Sequence, residues 1–122
     1  MTINEAIAAA DGLRNNQISA DIKRAMLSEL DGRIYREVMD PVGNDFNGYN
    51  ADTDEATQLL APFPYDGLYV TYLEMEIARI NGEMPRYNNA AIRFNEKYEA
   101  FKRWYNRTYP RKSAGIVFPT RR

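Results

Sequence analysis

The residues best suited to metal chemistry lie in Asn50-Ala51-Asp52-Thr53-Asp54-Glu55. This segment begins like a calcium-binding EF-hand loop, with oxygen ligands at its first, third and fifth positions. The sixth position of such a loop requires a glycine and the twelfth a bidentate glutamate, whereas this chain has Glu55 and Ala61 there. The same residues fit a helical turn with Asp52 as N-cap and Glu55 three residues later. We therefore predict a capped turn and no metal site.

Paired carboxylates, which could act as a general acid and its base, are the next candidates. Glu74 and Glu76 are two residues apart, so on a helix they point in different directions. Glu96 and Glu99 share a helix face with Arg103, a pattern typical of solvent-exposed ion pairs. The absence of His and Cys excludes imidazole bases, cysteine nucleophiles and thiolate zinc sites. We predict no catalytic residue and no cofactor; a carboxylate-based enzyme is the third of three alternatives.

The charge of the chain is unevenly distributed. The 122 residues are 44 % hydrophobic and 27 % charged, a balance typical of one globular domain. Residues 102–122 contain seven basic residues and no acidic one, whereas residues 1–101 contain nine basic and 17 acidic residues. An acidic body with a basic end favours a partner that is nucleic acid or an acidic protein surface. No apolar run is long enough to span a membrane, and no secretory signal is recognisable.

The first half of the chain predicts two helices. A capping box of Thr2 and Glu5 begins the first at about residues 3–11, and Gly12 is expected to end it. Ser19 is a good N-cap for the second helix, which should end at the residue before Pro41. Its apolar residues recur at every fourth position and are expected to face the core: Ile18, Ile22, Met26, Leu30, Ile34 and Val38, with Leu27 broadening the stripe.

The second half predicts a helical hairpin. Pro64 is expected near the first position of a third helix, which Asn81-Gly82 ends. Pro85 begins a fourth helix that Pro110 stops, and the short link forces the two helices to run antiparallel. The predicted core stripes are Tyr65, Tyr69, Tyr72, Leu73, Ile77 and Ile80 on the third helix, and Tyr87, Ala91, Phe94, Tyr98, Phe101 and Tyr105 on the fourth.

A turn-rich connection of about twenty residues, 41–62, separates the second and third helices. A loop of this length is often functional or ordered by a partner. Phe46 and Tyr49 are then either exposed anchors for a partner or parts of a lid that packs back onto the helices. The sequence leaves both alternatives open.

The end of the chain predicts contacts outside the domain. Trp104 lies off the aromatic stripe of the fourth helix, so it is a candidate for an external contact. The stripe itself could stack on single-stranded nucleic acid, but its heptad spacing favours a core. Ile116-Val117-Phe118 is β-prone and too short to form a core, so it should add a strand to a sheet or stay loose. We divide the chain into a helical domain, 1–109, and a basic extended tail, 110–122.

Together these features predict an all-α protein: a small bundle of about four helices with a long loop between helices two and three and an extended C-terminal tail. Six segments carry a further resemblance: Asp21-Ile22-Lys23-Arg24, Leu30-Asp31-Gly32-Arg33-Ile34, Pro64-Tyr65-Asp66-Gly67-Leu68-Tyr69-Val70-Thr71-Tyr72-Leu73, Tyr87-Asn88-Asn89-Ala90, Phe94-Asn95-Glu96-Lys97-Tyr98 and Phe101-Lys102-Arg103-Trp104-Tyr105-Asn106-Arg107. With the order of the helices, they make residues 3–108 similar to the small head-tail connector (adaptor, or head-completion) proteins of tailed phages and prophages.

The resemblance implies a non-enzymatic, mostly helical subunit that forms a ring, commonly a dodecamer, below the portal of the DNA-filled head. The ring would bind the portal protein and a downstream tail-completion or stopper protein, and DNA would pass through without specific binding. The implied location is the head-tail junction of the virion, and the bacterial host cytoplasm during assembly, without a membrane partner.

The resemblance also gives roles to residues of this chain. It implies that the tail grips the portal or a neighbouring copy through Arg111, Lys112, Ile116, Val117 and Phe118. It implies that the long loop faces the channel or an adjoining ring through Phe46, Tyr49, Asp45, Asp52 and Asp54. An acidic channel wall would repel DNA phosphates and let them slide. The residues alone also allow a small nucleic-acid-binding or regulatory helical module that uses the basic C-terminal end.

Overall fold

The computed structural model describes residues 1–13, 15–40 and 45–110. These residues form α1 (Ile3–Leu13), α2 (Ala20–Ile34), a π-helical turn (Tyr35–Met39), α3 (Gly67–Ile80) and α4 (Met84–Thr108). They contain no strand, only an isolated antiparallel bridge between Thr2 and Gln58. The predicted fold class, a small all-α bundle, is confirmed. The tail from residue 111 onward lies outside the described residues.

The capping box at the start of α1 is present. The backbone N–H of Thr2 donates to Glu5 Oε1 at 2.8 Å, and that of Glu5 donates to Thr2 Oγ1 at 3.1 Å. The hydrogen bond from the Thr2 backbone holds the pKa of Glu5 below its usual value. The predicted end at Gly12 is wrong, because α1 continues to Leu13. Gly12 is an ordinary helical residue with open space around its Cα.

The predicted cap of α2 is confirmed, since the N–H of Ile22 donates to Ser19 Oγ at 3.2 Å. Ile22 itself, however, is 49 % exposed and does not belong to the core. Each four-residue step rotates about 400°, so three steps place Ile22 about 120° around the helix from Ile34. A strict four-residue repeat therefore cannot keep all its members on one face. The buried members are Met26, Leu27, Leu30, Ile34 and Val38.

A π-helical turn joins α2 to the long loop. Asp40 follows it with a left-handed backbone (φ 44°), and its N–H donates to the carbonyl of Tyr35 at 2.8 Å. The helix thus ends at the residue before Pro41, as predicted, because that residue leaves the right-handed helical conformation. Val38, in the turn, is buried.

α3 begins later than predicted. The N–H of Tyr65 donates to the carbonyl of Pro62 at 2.7 Å, and the N–H of Leu68 donates to that of Tyr65 at 3.3 Å. These bonds span three residues, so turns rather than an α-helix occupy this segment. The helix starts at Gly67 with Asp66 at its N-cap. The prediction that Pro64 lies near the first helical position is wrong for that reason.

The predicted antiparallel hairpin is present. Asn81–Glu83 link α3 to α4, and the ring of Tyr72 lies 5.2 Å from that of Phe94. The interpretation of the aromatic stripe of α4 as core is confirmed at its centre, where Phe94, Tyr98 and Phe101 are at most 2 % exposed.

α3 is the central helix of the bundle. It packs against α1, α2 and α4, whereas α1 and α4 do not contact each other. Its Leu68, Tyr69, Leu73 and Ile77 are fully buried. An ion pair also joins α1 to α2, where the buried Lys23 donates to Asp11 at 2.6 Å.

The long loop is tied to the bundle through its backbone. The N–H of Ile3 donates to the carbonyl of Thr57 at 3.1 Å, and the N–H of Tyr49 donates to Ser28 Oγ at 2.9 Å. Gly48 precedes this second contact with a φ of 80°, and a Cβ there would lie 2.5 Å from Ser28 Oγ. Both its conformation and its close approach to α2 require a glycine.

We expect Gly48→Ala to lower the free energy of unfolding by about 1–2 kcal/mol, because alanine disfavours a left-handed backbone and meets Ser28. Gly12→Ala is the matched control: Gly12 is the next-to-last residue of α1 and has open space around its Cα, so alanine should raise the stability by at most about 0.5–1 kcal/mol. Urea unfolding followed by circular dichroism measures both. Equal midpoints for Gly48→Ala and the wild type would contradict the described loop geometry.

Candidate interaction site

A buried carboxylate holds the long loop against the helices. Asp31, on α2, is 0 % exposed. Its Oδ2 accepts from the Tyr49 hydroxyl at 2.5 Å and from the N–H of Leu60 at 3.1 Å, and its Oδ1 accepts from the Tyr69 hydroxyl at 2.6 Å. These four residues, the Asp31 cluster, connect α2, two points of the loop and α3.

The three ionisable side chains of the cluster have shifted pKa values. Burial raises the pKa of the Asp31 carboxyl, although hydrogen bonds from Tyr49, Tyr69 and Leu60 oppose that shift. Burial and the nearby carboxylate raise the pKa of both tyrosine hydroxyls, so they stay protonated and act as donors. Because Asp31 is out of contact with solvent, its role is to position the loop.

Both loop aromatics pack onto the helices. The ring of Phe46 lies 5.5 Å from that of Tyr35 and 5.3 Å from that of Tyr49. Both are half-buried. The structure therefore has the second of the two arrangements that the sequence left open, a lid on the helices. Phe46 and Tyr49 are not exposed anchors in this conformation.

The loop acids lie on its outside. Asp45, Asp52 and Asp54 are exposed, and Asp45 pairs with Arg36 at 3.4 Å. The side chain of Asp54 accepts from the N–H of Ala56 at 2.9 Å.

The capped turn predicted at Asp52 is wrong in its details. The side chain of Asn50 accepts from the N–H of Asp52 at 2.8 Å, and the N–H of Asn50 donates to Thr53 Oγ1 at 2.8 Å. Asn50 therefore makes the local turn that was assigned to Asp52, since asparagine side chains readily bond the backbone two residues on. Among the residues that the structure describes, no group of three or more His, Cys, Asp or Glu side chains could hold a metal ion.

An aromatic cluster lies at the C-terminal end of α4. Trp104 is half-buried, and its ring stacks on that of Tyr65 at 5.1 Å. Tyr109, which is 53 % exposed, meets the Trp104 ring edge-on at 6.1 Å. Trp104 is thus partly covered by its own domain, because it stacks on the turn that precedes α3. The exposed part of this cluster adjoins the tail.

A second polar contact joins the end of α2 to α4. Arg33 lies 4.6 Å from the centre of the Tyr98 ring and donates to Glu37 at 3.1 Å. The Tyr98 hydroxyl donates to the same Glu37 oxygen at 3.2 Å. Burial and the neighbouring carboxylate raise the pKa of Tyr98 to about 12, although Arg33 opposes the shift. This contact fixes the middle of α4.

The carboxylates of α3 and α4 form separate ion pairs with basic side chains. Glu74 pairs with Arg93 at 3.5 Å and Glu76 with Arg79 at 2.8 Å. Glu99 pairs with Lys102 at 3.5 Å, so the predicted ion-pair ladder uses this lysine rather than Arg103. Each of these carboxylates therefore has its own basic partner, and none of the three is paired with another carboxylate among the described residues.

The tail residues with an implied role, Arg111, Lys112, Ile116, Val117 and Phe118, lie outside the described residues. The chain reaches them through the basic end of α4, where Arg103 and Arg107 are exposed. No ion pair of these two arginines occurs within residues 1–13, 15–40 and 45–110. No helix in the same ranges is long and apolar enough to cross a bilayer.

Compared with protein-family models, curated proteins and solved structures, the chain matches none of them. The sequence patterns did not single out Asp31, the centre of the cluster, although the segment Leu30-Asp31-Gly32-Arg33-Ile34 is one of those that carry the connector resemblance. One signal was available: Asp31 is the only acid among the apolar positions Leu27, Leu30 and Ile34 of α2. A carboxylate on a core face requires buried donors.

The raised pKa of Asp31 predicts a specific pH dependence. The folded protein binds this proton more readily than the unfolded chain, whose pKa is near 3.8. Its contribution to stability is therefore present in acid and is lost as the pH rises through the raised pKa. We expect Asp31→Asn to remove this trend, so that the stability of the variant relative to the wild type rises as the pH increases above about 4.

Urea unfolding at each pH measures this difference, and Asp52→Asn, which changes an exposed carboxylate, is the matched control. Parallel curves for Asp31→Asn and the wild type would show that the Asp31 pKa is not raised.

Proposed function

We propose that this protein is a structural subunit of the head-tail connector of a tailed phage or prophage. It would form a ring, commonly of twelve copies, at the junction below the portal, and assemble in the host cytoplasm. The connector resemblance motivates the proposal. The observation that carries it is the segregation of charge along the chain: residues 1–101 contain nine basic and 17 acidic residues, whereas residues 102–122, which begin in the last turns of α4, contain seven basic residues and no acidic one.

Charge segregation suits assembly from identical subunits. A basic end on one copy is complementary to an acidic surface on the next, and such a contact joins two different surfaces. Contacts of this kind close into a ring when the rotation between subunits permits. The packing of the helices supports such a contact, because α1 and α4 both contact α3 but not each other, so a subunit can present a different helix to each neighbour.

The ordered loop supports a surface role of the same kind. Its apolar side chains Phe46 and Tyr49 face α2, while Asp45, Asp52 and Asp54 face outward. Because these contacts hold the loop against the helices, it would present a fixed acidic surface to a channel or to an adjoining ring. Such a surface would repel DNA phosphates over a distance of about 8 Å at physiological salt.

The proposal predicts that removing residues 111–122 abolishes assembly without unfolding the domain. The described core residues all precede residue 106, so the melting temperature should change by less than about 2 °C. Electron microscopy of the chain with the portal protein encoded near it should show rings for the full chain and none for the truncated one.

A variant with Ile116, Val117 and Phe118 replaced by serine keeps the charge of the tail and tests its apolar part. Rings formed by the truncated chain, or no binding of the full chain to that portal, would contradict the proposal.

The nucleic-acid-binding module is the second candidate, and the seven basic residues without an acid in 102–122 favour it. Fluorescence anisotropy of labelled DNA distinguishes the two functions. A phosphate-binding protein should have measurable affinity that falls steeply with salt. A connector should bind the portal and have no appreciable DNA affinity at about 0.15 M salt.

Reversing the acidic loop tests the channel role. The triple variant Asp45→Lys, Asp52→Lys, Asp54→Lys should still form rings, because these exposed side chains are not part of the core. Phages assembled with it should retain or eject DNA less well, since lysines would hold the phosphates. Glu96→Lys, on the exposed face of α4, is the control. Nuclease protection of packaged DNA measures retention, and wild-type behaviour of the triple variant would refute the channel assignment.

A further inference from the structure

An apolar groove lies between the start of α2 and the end of α3. Ile22 and Ile80, both predicted to face the core, are instead 49 % and 46 % exposed. They line this groove together with Ala25 and Met26. Two half-exposed isoleucines thus share one surface site, whereas the other positions of the predicted core stripes are buried or half-buried.

Acidic side chains flank the apolar surface. Glu29 and Glu76 line the groove, and Arg79 pairs with Glu76 at 2.8 Å. Glu29 accepts from the Tyr72 hydroxyl at 3.0 Å. With two acids and one base, the groove suits an occupant that has an apolar centre and basic ends.

The same chain contains such a segment. Ile116-Val117-Phe118 follows Arg111 and Lys112 and precedes Arg121 and Arg122. We infer that the groove of one copy binds the Ile116-Val117-Phe118 segment of a neighbouring copy. This inference rests on the proposed connector function and adds the place on the neighbour where the tail binds.

The dimensions of the chain explain why the occupant is a second copy. α4 has 25 residues and is therefore about 37 Å long. Because α3 and α4 are antiparallel, Ile80 lies beside the start of α4, at the opposite end of the hairpin from Pro110. Eight residues from Pro110 to Phe118 reach at most about 29 Å when fully extended. The tail of a copy thus falls short of the Ile80 end of its own groove.

A peptide with the sequence of residues 110–122 tests the groove directly. It is added in excess to the isotope-labelled full chain, and the methyl signals of Ile22, Met26 and Ile80 are followed by NMR. We expect saturable shifts confined to these methyls, with half-saturation below about 1 mM. A peptide with serine in place of Ile116, Val117 and Phe118 should bind the wild-type chain at least about tenfold more weakly. The wild-type peptide should bind the chain variant Ile22→Asp, Ile80→Asp more weakly by a similar factor.

Ile92→Asp is the matched control, because Ile92 is 59 % exposed on α4 and does not line the groove. It should leave peptide binding unchanged. Absence of binding, or shifts centred on another surface, would overturn the inference.

Disulfide formation between copies tests the assignment to a neighbour, and the chain has no cysteine of its own. Mixing Ile80→Cys with Val117→Cys chains should give a covalent dimer, whereas Ile92→Cys with Val117→Cys should not. A double variant, Ile80→Cys and Val117→Cys in one chain, should form crosslinked oligomers. A crosslinked monomer would overturn the inference and assign the tail to its own copy.

These results are separable from the proposed function. Rings on the portal formed by the Ile22→Asp, Ile80→Asp variant would overturn the groove assignment and leave the connector function intact; the tail would then grip the portal. Peptide binding in the groove without any portal binding of the full chain would support the groove and contradict the connector function.

Discussion

The fold depends on one buried carboxyl group. Asp31 has no solvent contact, so removal of its hydration must be offset by donors within the protein. The hydroxyls of Tyr49 and Tyr69 and the N–H of Leu60 supply them. Since these donors come from the loop and from α3, the buried carboxyl group finds all its partners only when the three segments are assembled. The part of the connection from residue 45 onward is thereby held against the helices.

The local signals of the sequence predict most of the helices. Thr2, Glu5 and Ser19 act as caps, and the spacing of Phe94, Tyr98 and Phe101 gives the core face of α4, because these effects depend on residues within one or two turns. The errors have longer-range or geometric causes. A four-residue repeat drifts around the helix, which exposes Ile22, and the turns before Gly67 delay the start of α3.

The same distinction between local and long-range causes applies to the candidate sites. The outward position of Asp45, Asp52 and Asp54 could be expected from their polarity, whereas the inward packing of Phe46 and Tyr49 depends on Asp31, a residue distant in sequence. The exposed groove could not be found from the sequence, because Ile22 and Ile80 belong to regular apolar stripes. Only the packing of the folded bundle shows that these two side chains lie outside the core.

The single long helix α4 has a mechanical consequence. A pull on the chain at Pro110 acts along the helix axis, parallel to the interface where Phe94 meets Tyr72 of α3 and Phe101 meets Tyr65 in the turn before α3. Such a load acts on all of these contacts at once rather than on one after another. The short link at residues 81–83 also limits how far α4 can slide along α3. The subunit is therefore built to resist tension applied at its C-terminal end while its far end stays in place.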